Sequence, residues 1–187
     1  MHTMNTLFGN TIDFVAHKIS KIDIVEIAHS LALINRYNGH TQVPYSVAQH
    51  SVIVSQLVPE AYALEGLLHD AGEAYIGDIV SPFKHFFPKI LFLEQDIMKQ
   101  VIEFFHLKTD RGTWDMVKEI DRRVLLTEME QELIHKHELK PKWAAEYAPI
   151  ENLVIKPFDT WQEAEGKFLA RFEELTAIRK LESMGWE

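Results

Sequence analysis

From Asp23 onward, apolar residues recur at three- and four-residue spacing, the period of a helix that buries one face. Ile24, Ile27, Ala28, Leu31 and Ile34 form the first such stripe, with Asp23 placed as its N-cap. Asn38, Gly39 and Pro44 then break the pattern, so Asn35 to Tyr45 reads as a loop. Ser46 followed by Gln49 has the form of a capping box, and Val47, Val54, Leu57 and Val58 give the helix behind it an apolar face. A third helix is expected over Ala61 to His69, where Leu64, Leu67 and Leu68 make it mostly buried.

Gly72, Gly77 and Pro82 interrupt the next stretch, so Glu73 to His85 is expected as a short helical turn plus loop. Further helices are expected at Pro88 to Phe105, Thr113 to His137 and Asp159 to Lys180, the last with Trp161, Ala164, Phe168, Phe172 and Leu175 on one stripe. Before the first helix, the residues through Ser20 mix Gly9, Asn10 and Thr11 with apolar positions and fit a short extended piece. Asn152 to Ile155 looks strand-like, and Pro141 to Pro157 reads as a loop crossing one face. The expected architecture is therefore all-α, a bundle of about six to seven helices, in one domain spanning residues 1–187.

Composition narrows the function classes. The chain has no cysteine, which excludes disulfides, thiolate metal sites and a cysteine nucleophile. Any metal must use histidine and carboxylates. A net charge of −9 without a Lys/Arg cluster removes the usual driving force for binding a long polyanion, so no nucleic-acid polymer is expected as a partner. A small phosphorylated ligand held by two or three local cations stays open. The chain shows no basic flank ahead of a continuous apolar run and no bilayer-length apolar segment, so a cytoplasmic protein with no membrane partner is expected.

The chemistry concentrates around His69-Asp70. The doublet closes an apolar helix, Leu67-Leu68-His69-Asp70, where ionisable side chains are costly unless paired or bound to a metal. A hard or borderline divalent ion takes imidazole nitrogens and carboxylate oxygens from several elements and keeps positions open for water and substrate. His50, His69, Asp70 and a later aspartate would supply such a set. Asp121, between Ile120 and the run Val124, Leu125, Leu126, lies at the edge of an apolar stripe.

These motifs together resemble the HD-domain phosphohydrolases, whose pattern is a helix-borne histidine, a His-Asp doublet and a distant aspartate. Tyr45-Ser-Val-Ala-Gln-His50-Ser is similar to the first-histidine motif. His69-Asp-Ala-Gly-Glu73, followed by Gly77-Asp78 and Ser81-Pro-Phe-Lys84, is similar to the second in the 5′-deoxynucleotidase-like branch. Arg36-Tyr-Asn-Gly-His40-Thr resembles that branch's arginine-aromatic substrate loop. The resemblance covers roughly Ile22 to Glu128.

It implies an HD-type helical bundle and hydrolysis of a deoxynucleotide phosphate group, either from deoxynucleoside monophosphates or from triphosphates such as dATP. It also implies one divalent ion per chain, whether cobalt, manganese, zinc, magnesium or iron, held by His50, His69, Asp70 and Asp121. Glu73 and Asp78 would handle the attacking water and the proton, with acid and base unassigned. Arg36 and Lys84 would be the phosphate cations and Tyr37 would stack on base or sugar. In relatives a larger aromatic often occupies the Tyr37 position, which leaves base preference open.

The alternative is a non-catalytic nucleotide sensor that retains the pocket. Di-iron oxygenases and cyclic-dinucleotide phosphodiesterases of the same fold call for extra histidines around the doublet, which this sequence lacks. His17, His29, His85, His106, His135 and His137 read as ordinary surface or satisfied histidines, and His40 as support for the Arg36 loop. Asp121 alone would more often be a solvated helix residue paired with Arg122 or Arg123. Phe86, Phe87, Phe104 and Phe105 are compatible with a homo-oligomer, and core packing accounts for such residues as well.

Overall fold

A computed structural model describes residues 2–84, 86–131, 133 and 142–184. The chain opens with β1 (Thr3–Asn5), β2 (Thr11–Asp13) and β3 (Lys18–Ile19), an antiparallel meander in the order β1-β2-β3 that pairs Thr3 with Asp13 and Ile12 with Ile19. Helices follow: α1 (Ile24–Leu33), α2 (Val47–Leu57), α3 (Ala63–Leu68), α4 (Glu73–Ile76), α5 (Ser81–Lys84), α6 (Pro88–Phe104), α7 (Arg111–Glu130) and α8 (Trp161–Ser183). The molecule is mostly helical, as the apolar spacing requires. The expected turn plus loop of 73–85 is split into two four-residue helices, because Gly77 ends α4 at φ +84 where a non-glycine residue would be strained.

Helix α2 lies at the centre, against α1, α3, α7 and α8. Its Val47, Ala48, His50, Ser51, Val52 and Val54 are all buried, which explains why its sequence carries no clean polar face. The stripe of α8 packs inward through Ala164, Phe168 and Leu175, across α1, α2 and α3. Asp23 caps α1 by accepting from Val25 N, and Asp110 caps α7 by accepting from Thr113 N. No helix among the described residues is long and apolar enough to cross a membrane.

Several sequence expectations change in detail. The extended piece near the N-terminus is a three-stranded meander, pinned to α1 by Glu26, which accepts from Thr6 Oγ1 (2.6 Å), Phe8 N (2.5 Å) and Asn10 Nδ2 (3.1 Å). Asn152 to Ile155 forms no strand. Its backbone is satisfied instead by the Gln131 amide, which donates to Leu153 O and accepts from Ile155 N, so a side chain stands where a neighbouring strand would be.

Ser46 does cap α2 by accepting from Gln49 N. Gln49 does not close the box, since its amide spans to Lys156 O and Phe158 N and so ties down the segment ahead of α8. Helix α7 ends at Glu130, where Gln131 N bonds back to Thr127 O and Leu133 N to Glu128 O. The rest of the expected helix to His137, with His135 and His137, lies outside the described residues, as do His85 and Pro141. Phe86, Phe87 and Phe104 are exposed, while Phe105 packs against the core.

Candidate metal centre

Three elements converge on one point. His50 comes from the first turn of central α2, His69 from the C-terminal end of α3 and Asp121 from the middle of α7. Each offers a ligand atom within 4.8 Å of the other two. His50 Nε2 lies 3.0 Å from Asp121 Oδ1 and His69 Nε2 lies 3.9 Å from the same oxygen. His50 is fully buried, whereas the Asp121 side chain is 32% exposed and forms the rim. Asp70, the fourth expected ligand, stands beside this group with Oδ2 3.1 Å from His69 Nε2.

Both histidines are oriented from behind. His69 Nδ1 bonds Gly66 O at 2.8 Å and His50 Nδ1 bonds Glu128 Oε1 at 2.8 Å, which leaves each Nε2 facing the cluster. His69 Nε2 is buried and makes no well-aligned hydrogen bond, despite its nearness to Asp70. A buried ring nitrogen without a partner, facing two carboxylates, fits a divalent cation bound through nitrogen and oxygen.

The electrostatics agree with that fit. Burial works against the charge on Asp70 and Asp121, yet the His69 ring holds Asp70 and the His50 ring holds Asp121 below the ordinary carboxylate range. Burial likewise opposes charge on His69, but Asp70 outweighs it and lifts the imidazole to about 9. The cluster thus draws positive charge to itself, and a dication answers the same field more strongly than a proton does.

Glu73, at the start of α4, is buried with Oε2 unpartnered. Burial, then the neighbouring Asp70 and Asp78, pushes its carboxyl up to about 10. Asp78 follows Gly77; burial raises its carboxyl and Asp70 adds to the rise, while Arg36 and Lys84 act against it. Lys84 is not free, because its Nζ lies 2.6 Å from Glu94 Oε1.

The Arg36 loop is closed at its base. Asn35 bridges Ser46, Arg36 N donates to Tyr45 O, and Val47 N donates to Ile34 O. Within it Tyr37 and Asn38 take left-handed backbone angles, φ 56 and 52, which L-residues seldom adopt. Arg36 is pulled inward: Nε and Nη2 each lie 3.2 Å from Glu128 Oε2, and Nη1 lies 3.9 Å from Asp70 Oδ2. The Tyr37 hydroxyl also donates to Glu128 Oε2, so this ring is held by its polar end.

Glu128 is the site residue that sequence reasoning missed. It is wholly buried, and His50, Tyr45, Arg36 and Tyr37 all donate to it. One signal was present, since Glu128 lies seven residues, two helical turns, beyond Asp121 and so on the same face of α7.

No family model matches the chain. It is similar to an uncharacterized protein of Rhodobacter capsulatus, 39% identical over 87 residues, which cover 42% of this chain and 44% of that protein. It is also similar to YfdR, an uncharacterized protein of Escherichia coli, 38% identical over 170 residues that cover 89% of this chain and 93% of that one. Identity at that level along nearly the full length of both proteins means that the chain belongs to the YfdR family.

Proposed function

We propose that this chain is a metal-dependent phosphohydrolase of the HD type, acting on the phosphate group of a deoxynucleotide, with one divalent ion per chain. The observation that carries the reading is the pairing of a His50, His69, Asp121 ligand group with a buried carboxyl, Glu73, that keeps one oxygen without a partner. A ligand set alone would serve a structural ion. An unpartnered carboxyl beside it is what water or proton handling needs.

When bound, the ion would lower the pKa of a coordinated water and polarise a phosphoryl oxygen. Asp70 would complete the ligand set from the same helix end as His69. Glu73 and Asp78 share a buried acidic corner in which one carboxyl keeps a proton more readily than the other, the usual arrangement for dividing acid and base roles. Arg36 turns its Nη1 edge towards Asp70, from where it would hold a phosphoryl oxygen near the ligand group. Lys84 would exchange part of its contact with Glu94 for phosphate.

The test is a phosphate-release screen on metal-stripped protein resupplied singly with cobalt, manganese, zinc, magnesium or iron. All deoxy- and ribonucleoside mono-, di- and triphosphates are offered and the products resolved by chromatography. Orthophosphate from deoxynucleoside monophosphates identifies a nucleotidase, and inorganic triphosphate from dATP a triphosphohydrolase. No product from any substrate, with metal bound at one per chain, overturns the reading in favour of a nucleotide sensor.

A further inference from the structure

The reaction outlined above gives Glu128 nothing to do, yet no other described carboxylate is so densely bonded at the site. We infer that Glu128 is a positioning residue that couples the metal half of the site to the phosphate half, each carboxylate oxygen serving one of them. The inference rests on the metal-and-phosphate reading of this site.

The bonds divide by oxygen. Oε1 accepts from His50 Nδ1 and from the Tyr45 hydroxyl, both at 2.8 Å. With Nδ1–H committed to a carboxylate, an ion taking the place of the Nε2 proton would find its lone pair on the nitrogen that faces Asp121. Oε2 accepts from Arg36 Nε and Nη2 and from the Tyr37 hydroxyl. One edge of the guanidinium is thereby fixed, and Nη1 points to Asp70. The same carboxylate sets the ligand tautomer and aims the phosphate-binding edge.

A buried Arg–Glu pair that only filled space would need neither a metal-ligand ring nor two tyrosine hydroxyls. Charge and shape are both required here. A neutral amide at 128 would turn an NH₂ towards one pair of donors, and either His50 with Tyr45 or Arg36 with Tyr37 would lose its acceptor. Because one rigid group holds both halves, ordering either by its ligand orders the other, and the two affinities rise together.

The experiment uses the full chain and Glu128→Gln, with fold checked by circular dichroism. Calorimetry measures manganese binding to the metal-free protein, then inorganic phosphate binding with and without manganese. We expect manganese affinity to fall 10- to 100-fold, as for other residues that orient a ligating histidine. We also expect manganese to strengthen phosphate binding in the native chain by at least about fivefold, a gain that collapses in the variant. Nitrogen NMR of the zinc-loaded protein should show a single Nδ1–H on His50 in the native chain and a shifted or lost Nδ1–H signal in Glu128→Gln, a change that a space-filling role would not produce.

If Glu128→Gln does not fold, Tyr45→Phe and Tyr37→Phe remove one donor from each oxygen. The first should weaken manganese binding, and the second should weaken phosphate binding more than manganese binding. A folded Glu128→Gln protein with both affinities within twofold of native overturns the coupling, as do two tyrosine variants that change neither. A native chain that releases no phosphate from any nucleotide would refute the proposed reaction, while the manganese and phosphate affinities would still decide this inference.

Discussion

His50 and Glu128, 78 positions apart in the chain, meet through Nδ1 and Oε1 at 2.8 Å, and neither side chain reaches solvent. That contact joins α2 to α7, and Arg36 at 3.2 Å from Glu128 Oε2 compensates the buried charge. Removing one member of such a pair leaves the other charged and unpaired in the interior. Glu128→Ala is therefore expected to cost about 3–5 kcal/mol of stability. Urea unfolding reads this directly. A loss under about 1 kcal/mol would show that water reaches Arg36 and takes over the role of Glu128.

Metal binding should stabilise the fold with the logarithm of the free ion concentration relative to Kd. At a hundredfold excess over Kd, one ion per chain adds about 2.7 kcal/mol. For a domain of this size that raises Tm by roughly 5–10 °C. The rise should vanish in His69→Ala, whose ring nitrogen faces the ion position, and persist in Glu73→Gln, which should lose turnover while keeping the ion. Two ions per chain, or an undiminished rise in His69→Ala, would move the centre away from His50, His69 and Asp121.

The helices were legible because they depend on local pattern, whereas the grouping of His50, His69 and Asp121 was expected chiefly from the resemblance. Asp23 and Ser46 cap where a short oxygen-bearing side chain precedes an apolar run, and the packing of α2, α3 and α7 brings His50, His69 and Asp121 within 4.8 Å of one another. What the sequence hid depends on partners far along the chain. Gln49 bonds residues more than 100 positions away instead of its own cap, and Gln131 occupies the place of a strand beside 153–155. Arg36 and Lys84 read as cations awaiting phosphate, but each already holds a glutamate, Glu128 and Glu94, whose pairing no short motif encodes.

The N-terminal meander should come loose in acid. Glu26 is buried against charge, but Thr6, Phe8 N and Asn10 donate to its carboxylate and hold its pKa below the ordinary 4.5. A carboxyl depressed in the folded state contributes stability that is fully present above its unfolded pKa, and loses it as pH falls through the folded value. Glu26→Gln should therefore narrow the stability difference between pH 7 and pH 3, with the larger loss at pH 7. Chemical unfolding across that range checks it. Parallel profiles for the two proteins would mean that the three donors are equally content with a neutral acceptor.

Gly66 links helix packing to the metal centre. It lies in α3 where that helix meets α2, and a methyl group there would stand 2.9 Å from Val58 Cγ2 and 3.2 Å from the Ser55 Cα. The valine tip can yield a little, but the Ser55 backbone cannot, so α3 must move outward. Overpacking of this kind costs about 1–3 kcal/mol. Alanine's better helix propensity returns up to about 1 kcal/mol. Gly66→Ala should thus be mildly destabilised. It should also bind cobalt more weakly, because the Gly66 carbonyl that orients His69 Nδ1 at 2.8 Å moves with the helix. Adding Val58→Ala relieves the nearer clash and should recover part of the cobalt affinity. Native cobalt affinity in Gly66→Ala alone would show that Asp70, 3.1 Å from His69 Nε2, sets the ring without help from α3.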